Sequence, residues 1–364
     1  MVAYWIVFVI ILFFCITDFF KITVAEFYRK IILVSLLILL GLFAGLRYKC
    51  DNDYDEYIRI YNQVPTLREF FTGGYQLSDI YGEPLFIISN IVFKTLGAAD
   101  YIYLTFISFL NLFFLYKSIT AFSKYWFLSL FLYFSLMYLG GGFTQIRFGV
   151  ATTLAWYGLV QYFNGKTKLS IVAVCCAVMF HISALSILIV FMANRFLKIN
   201  TFTVLTISFL SVLITLFSFG GMLGSFIALF AGDSRYESYL DSEIYSEKAN
   251  SIAIYFYCIS ILIFWFFRTQ MIRELDEKRF YFLFKIGLMA VLFGALFNQM
   301  AILSRFGLIL QFCYIFILPH TFGLKPVRLF MLLFLFIYGV FRYSQFLDDN
   351  GFIQEYKIIF TSDS

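Results

Sequence analysis

Four arginines, Arg47, Arg147, Arg235 and Arg305, each stand at the edge of an apolar stretch. A cation at the rim of a bilayer is easily accommodated but costs roughly 2.5–3.5 kcal/mol at the membrane centre, so arginines gathered at one depth point to an anionic ligand. Phosphate is the obvious candidate. Carboxylates and tyrosines accompany them. Between Gly45 and Tyr57 the chain follows Arg47 with Asp51, Asp53, Asp55 and Glu56, interleaved with Tyr48, Tyr54 and Tyr57, a mixture suited to sugar hydroxyls, proton transfer or a divalent cation. As a calcium loop the segment lacks the required glycine and terminal glutamate. A plain solvated acidic loop explains the acids and leaves Arg47 unexplained. Glu83 before Pro84 is ordinary helix-start chemistry and equally suited to a base. Gly140-Gly141-Gly142-Phe143-Thr144-Gln145-Ile146-Arg147 suggests a phosphate cradle of free backbone N–H groups, a helix N-terminus and a bidentate donor. A flexible turn would explain the glycines but not the arginine. His181 interrupts the apolar run Met179-Phe180-His181-Ile182-Ser183, placed to orient a phosphate oxygen or shuttle a proton, or else to serve as a hydrogen-bonded structural residue. Arg235-Tyr236 can clamp a phosphate and stack on a sugar face, although Asp233 or Glu237 can pair with Arg235 as a surface ion pair. Arg305 has no acid in its own segment, Asn298 to Phe306.

The elements that must hold these residues are membrane helices. The chain is 62% hydrophobic and 13% charged, with 51 phenylalanines and a mean hydropathy of +0.87, which excludes a soluble globular domain. Apolar stretches of spanning length run over 2–20, 30–46, 101–117, 125–140, 148–164, 201–219, 251–267, 280–297, 306–322 and 329–346. Met1 to Phe20 has no basic residue before its apolar run and no small-residue cleavage site, so a retained first span is expected. The stretch 169–194 is either one long span or two short ones hinged at His181. The hinge puts all the basic turns on the cytoplasmic side, including Arg29 and Lys30, Lys124, Lys166 and Lys168, Arg195 and Lys198. The acids from Asp51 to Glu83 and from Asp233 to Glu247 then fall outside. The expectation is an all-α polytopic membrane protein with about twelve transmembrane helices and both termini outside. Residues 1–364 form a single integral domain with two larger extracytoplasmic loops: 47–100, which includes an interfacial helix from Pro84, and 220–250. Loops this long are usually functional or disordered, and an external site between them is the natural inference.

Other signals have plainer explanations. Gly41 and Gly45 carry small-xxx-small spacing, read as close helix packing. Cys175, Cys176 and His181 have apolar neighbours and lack a fourth ligand, so packing is preferred to zinc and no metal is expected. Cys50 stands alone on the outer side, so no external disulfide framework can be drawn. The net charge of +5 belongs to cytoplasmic turns facing anionic membrane lipids, with no call for nucleic acid.

Taken in order, Gly45-Leu46-Arg47-Tyr48 with Asp53 and Tyr57, Glu83-Pro84, Gln145-Ile146-Arg147 with Ala151, Phe180-His181-Ile182-Ser183-Ala184, Arg235-Tyr236 and Arg305-Phe306 resemble the EpsG family of bacterial polysaccharide polymerases. That family is close in role to Wzy, the O-antigen and capsule polymerase. The family tends to have small residues between its arginine and aspartate, whereas Lys49-Cys50-Asp51-Asn52 stand here. Asp53 matches by spacing, with Asp51 and Asp55 as alternatives. The resemblance implies a plasma-membrane glycosyltransferase, architecturally similar to the membrane-embedded GT-C-like enzymes, with its active site facing the periplasm or cell exterior. Its substrates would be undecaprenyl-pyrophosphate-linked oligosaccharides, and a growing glycan would pass from its carrier to the non-reducing end of a new repeat unit. A chain-length regulator and a flippase are implied as partners. On this reading Arg147, Arg235 and Arg305, aided by His181, bind pyrophosphate, Asp53 or Glu83 takes the proton of the acceptor hydroxyl, and Arg47, Tyr57 and Tyr236 contact substrate. No cofactor is required, and no glycine fingerprint for a nucleotide sugar is present. A lipid-glycan flippase is the main rival and predicts ionisable residues near the midplane in paired broken helices. A membrane acyltransferase would need a route for a cytoplasmic acyl donor.

Overall fold

The computed structural model describes all residues except 21, 23, 218–250, 299–300, 349–351 and 362–364. Among the described residues it is helical, with two isolated antiparallel bridges in place of strands. Among the described residues, seven helices are long and apolar enough to cross a membrane, or eight if the bent pair Ile252–Phe266 and Arg268–Leu275 counts as one. The chain is thus a multi-pass membrane protein. It divides into two compact units, residues 1–182 with 329–364, and residues 183–328. The boundary follows His181 inside continuous apolar sequence, so composition shows no division there.

The first unit contains α1 (Val2–Phe19), α2 (Glu26–Gly45), α3 (Tyr54–Gln63), α4 (Leu67–Thr72), α5 (Pro84–Thr95), α6 (Asp100–Phe122), α7 (Trp126–Tyr133), α8 (Ile146–Phe163) and α9 (Thr167–Phe180), together with most of a C-terminal helix, Arg328–Asp348. Helices α2 and α6 pack closely because α2 offers glycines: a Cβ on Gly45 would come within 2.5 Å of the Thr105 Cα, and one on Gly41 within 2.7 Å of the Phe109 ring. Residues such as Ile6, Val9 and Phe13 of α1 remain exposed, as a lipid-facing surface requires.

At one end of this unit Asp18 is buried and ties three elements together. It accepts the backbone N–H groups of Phe127 (2.9 Å) and Leu128 (3.2 Å) at the start of α7 and pairs with Arg29 Nη2 at 3.1 Å. Arg29 also donates to the Lys124 carbonyl at 2.9 Å and lies 4.7 Å above the Trp126 ring. A carboxylate at a helix N-terminus satisfies otherwise orphaned donors.

The opposite end holds Arg47. Here α7 continues into a π-helix, Phe134–Thr144, closed by a bond from Gln145 N to the Gly140 carbonyl (2.9 Å). The glycines therefore lie inside a helix and not in an open cradle. Their role is contact: a Cβ on Gly149 would overlap the Gly141 carbonyl oxygen, and one on Gly142 would lie 2.6 Å from the Tyr133 hydroxyl. Helix α8 begins at Ile146, so Arg147 sits in its first turn. Helix α9 ends at Phe180, and His181 adopts extended backbone (φ −160°, ψ 128°) before a 3₁₀ turn, Ile182–Ser186.

The second unit contains α10 (Ile187–Phe196), α11 (Thr201–Leu216), α12 (Ser251–Phe266), α13 (Arg268–Leu275), α14 (Glu277–Phe297), α15 (Ala301–Gln311) and α16 (Tyr314–Ile317), the last followed by the 3₁₀ turn Leu318–Gly323. Helices α12 and α13 meet at 87°. The buried Tyr314 hydroxyl donates to the Gly287 carbonyl at 3.1 Å, and its ring stacks on Tyr257 with centroids 4.2 Å apart. A buried hydroxyl thus finds its acceptor, as a dry core demands.

Candidate functional site

Tyr81-Gly82-Glu83-Pro84 turns the chain into α5. Gly82 takes φ +133°, a conformation that side chains with a Cβ rarely adopt. Glu83 is the N-cap of α5, yet its carboxylate makes no capping bond. It instead reaches across to Arg147, with Oε2 at 3.0 Å from Nη1. The two side chains are only 17% and 21% exposed, so the pair is partly withdrawn from water and weakly screened. Aromatic rings surround the guanidinium: Tyr81 at 5.2 Å, Phe86 at 5.3 Å and Tyr57 at 5.9 Å, all within cation–π reach. Arg147 Nε is buried and has no hydrogen-bond partner. Phe86 and Tyr57 are buried, while Tyr81 is half exposed. Behind them, buried Asn90 donates to the Phe86 carbonyl (2.8 Å) and the Tyr103 hydroxyl (2.7 Å), which fixes the face of α5 that carries Phe86.

Burial pushes the Tyr57 phenol up to about 12, against the opposing pull of Arg147. The phenol is therefore a hydrogen-bond donor throughout the neutral range. Asp53, the N-cap of α3, lies one turn before Tyr57 and receives the Tyr57 N–H on its carbonyl at 3.1 Å. The Asp53 N–H in turn donates to Asp51 Oδ1 at 3.1 Å. Asp55 is exposed. His181 is 8% exposed and lies edge-on to Phe148, centroids 5.6 Å apart, which places it beside the first turn of α8 that carries Arg147. Asp53, Tyr57, Tyr81, Glu83, Arg147 and His181 thus gather at one end of the first unit, the end that also holds Arg47.

Arg47 has a different environment from the open, anion-ready one expected of it. It is completely buried, its Nε bonds the equally buried Asp51 carboxylate, and its Nη1 donates to the Ala44 carbonyl at 2.7 Å. Its guanidinium lies 5.0 Å from the Phe143 ring and 5.8 Å from Tyr54. The reason is a C-terminal segment that covers it. Residues 352–361 return to the 46–51 loop and bridge Arg47 to Ile358 and Asp51 to Ile353. Backbone bonds from Tyr48 N to the Lys357 carbonyl (2.9 Å), from Gln354 N to the Cys50 carbonyl (2.8 Å) and from Ile359 N to the Leu46 carbonyl (3.0 Å) hold it. Tyr356 stacks on Phe43 at 4.1 Å, and Tyr4 donates to the Gln354 carbonyl at 3.1 Å. Cys50 is likewise buried, its thiol received by the Lys357 carbonyl at 3.4 Å. Asp51 is engaged by Arg47 and Asp55 is exposed, while Asp53 stands at the N-cap one turn before Tyr57.

Arg305 lies in α15 of the second unit, and Arg235 and Tyr236 fall outside the described residues, as does the expected 220–250 loop. Sequence reasoning passed over Tyr81 and the whole 352–361 segment. Tyr81 carried a signal, since an aromatic followed by glycine and then the Glu-Pro pair marks a turn into the same site. The C-terminal segment carried none.

The class these observations define is a multi-pass helical membrane protein, with an aromatic-walled arginine–carboxylate pair at one end of its first unit. The chain belongs to the EpsG family, whose model matches residues 30–358, a family of Wzy-type polysaccharide polymerase-like proteins. Neither the curated proteins nor the solved structures contain a match to it.

Proposed function

We propose that this protein is a polysaccharide polymerase that transfers a growing glycan from undecaprenyl pyrophosphate to the non-reducing end of a new lipid-linked repeat unit, at the outer face of a bacterial plasma membrane. The observation that carries the reading is the Arg147–Glu83 pair within its ring of Tyr57, Tyr81 and Phe86. Departure of a pyrophosphate requires positive charge positioned where negative charge develops, more than it requires covalent catalysis. Arg147 supplies that charge, and His181 stands beside the same helical turn. Glu83 or Asp53 takes the proton of the acceptor hydroxyl. The half-exposed Tyr81 offers a sugar face a stacking partner. Arg235, Tyr236 and Arg305 keep the substrate-contact roles that the family resemblance implies. Arg47 acts on substrate through the loop it anchors.

Two features support the outer orientation and a count of twelve spans. Arg29, Lys30, Lys124, Lys166 and Lys168 lie in the short connections at the Asp18 end, opposite Arg147, or in the opening turns of the helices that follow them, as the positive-inside bias expects of a cytoplasmic end. Tyr4 and the 352–361 segment meet at the Arg147 end, which requires an even number of crossings. Adding α8, α9, α10, α11 and α12 to the seven long helices gives twelve. Helix α9 has 14 residues and a length of about 21 Å, against about 30 Å of hydrocarbon, so local thinning accompanies it. The architecture is then of the kind seen in membrane-embedded glycosyltransferases.

The test is in vitro turnover in nanodiscs with lipid-pyrophosphate-linked repeat units. A polymer ladder from the wild type that Arg147→Ala abolishes, with folding intact, is the expected result. Movement of the substrate across sealed vesicles without polymer would sink the enzyme reading in favour of a flippase.

A further inference from the structure

The Arg147–Glu83 contact has an unequal geometry. Arg147 offers Nη1 to Glu83 while its Nε is buried and has no acceptor. Glu83 approaches with one oxygen only and the Tyr57 and Tyr81 hydroxyls are the other polar groups at the guanidinium, so its Nε edge stays unused. A phosphate carries more charge than a carboxylate and has several oxygens, so it can engage Nε and a neighbouring Nη together. Glu83 is also free of other duties: although it stands at the N-cap of α5, its carboxylate caps nothing. Pro84 at the first helical position has no N–H to satisfy, so releasing Glu83 from Arg147 leaves no orphaned donor in α5 at that position.

We infer that Glu83 is a gated base, held on Arg147 until a lipid pyrophosphate displaces it. This rests on the polymerase reading above and adds an order of events to it. With the site empty, the ion pair keeps the carboxylate away from acceptor hydroxyls. Donor binding transfers Arg147 to the pyrophosphate and frees Glu83 beside Tyr81 and Tyr57. The acceptor hydroxyl then gives its proton to Glu83 as its oxygen bonds to the anomeric carbon of the donor. The bond from that carbon to the phosphate oxygen breaks, and its electron pair leaves on the pyrophosphate, whose added charge Arg147 neutralises. Loss of the lipid pyrophosphate returns Arg147 to Glu83 once the proton has passed to water. The gate discourages hydrolysis, because the base is available only when a donor is seated and the acceptor's hydroxyl is the group beside it. Donor must therefore bind before acceptor.

The experiment measures binding of undecaprenyl pyrophosphate to purified protein in nanodiscs, with undecaprenyl monophosphate as a weaker-charged control, beside Arg147→Ala, Glu83→Gln and Glu83→Asp. Glu83→Gln removes the competing charge and should tighten pyrophosphate binding by about tenfold, the scale of one charge-assisted hydrogen bond, while turnover collapses. Glu83→Asp retains the charge with a shorter reach and should also tighten binding, with turnover partly kept. It serves if the glutamine variant does not fold. If Arg147→Ala weakens binding but both Glu83 variants bind like wild type or more weakly, the gate is wrong and the pyrophosphate site stands. If Arg147→Ala leaves binding unchanged, the site assignment itself fails. Wild-type kinetics give an independent check: varying both substrates should show ordered addition with donor first, and random order would overturn the gate.

Discussion

Replacing Asp51 by Asn leaves the Arg47 guanidinium buried without its counter-ion, a perturbation whose size follows from the geometry. Both side chains of the pair are fully shielded, and Arg47 keeps only the Ala44 carbonyl and two aromatic faces, while its Nη2 has no partner at all. Breaking such a buried pair from one side costs about 3–5 kcal/mol, because the remaining charge cannot be rehydrated. Replacing both members by apolar residues, Arg47→Met with Asp51→Leu, should cost less, since the desolvation of the two charges roughly offsets their attraction and the remaining loss is the acceptor of the Asp53 N–H. The backbone bonds to residues 352–361 do not depend on either side chain and would survive the double change. Chemical unfolding in mixed micelles, run as a double-mutant cycle, measures both quantities. Asp51→Asn within about 0.5 kcal/mol of wild type would refute the reasoning, since changes of that size mark surface positions. So would a double variant as unstable as the sum of its singles.

Other outcomes follow from the same packing. Gly149→Ala should disrupt the junction of the π-helix and α8, because its Cβ would overlap the Gly141 carbonyl, whereas Gly141→Ala meets its nearest neighbour at an ordinary 3.6 Å and should be tolerated; thermal unfolding of the pair separates them. Burial pushes the Cys50 thiol up, so a membrane-impermeant maleimide should leave Cys50 unlabelled in the intact chain and label it once residues 352–364 are removed, as peptide mass spectrometry would read. Tyr57→Phe removes a donor that stays protonated to about 12, so turnover should fall while the pH–rate profile keeps its shape below pH 10 or so. Asp18→Ala orphans the Phe127 and Leu128 N–H groups and frees Arg29, and should cost about 1–3 kcal/mol in the same unfolding assay.

Much of the helical layout was legible because spanning length and hydropathy are local properties. The stretches at 101–117 and 280–297 fall within helices and that at 125–140 does so from Trp126 onward, and the break at His181 shows in a residue that interrupts an apolar run. What failed to show is what depends on distance along the chain. Glu83 and Arg147 were each visible as unusual, but their contact spans 64 positions and sequence spacing cannot report it. Gly140-Gly141-Gly142 suggested a loose loop, since composition cannot distinguish a glycine that needs freedom from one that needs space. Arg47 suggested an open ligand site because the segment that buries it lies some three hundred residues away. Local reasoning identified the chemistry of the residues and misjudged which of them face water.

The pairing of Cys50 with Lys357 spans 307 positions. At about 5–20 residues per second of synthesis, roughly 15–60 seconds separate the emergence of these two partners from the ribosome. Throughout that interval the 46–51 loop lacks its cover, and Arg47 and Asp51 meet water or lipid headgroups directly. The loop that carries Asp53 and Tyr57 into position can close only after the helix Arg328–Asp348 has been inserted and residues 352–361 have followed it. A nascent chain with every earlier span in place would still hold an unfinished site, so the emergence of residues 352–361 is itself an assembly step.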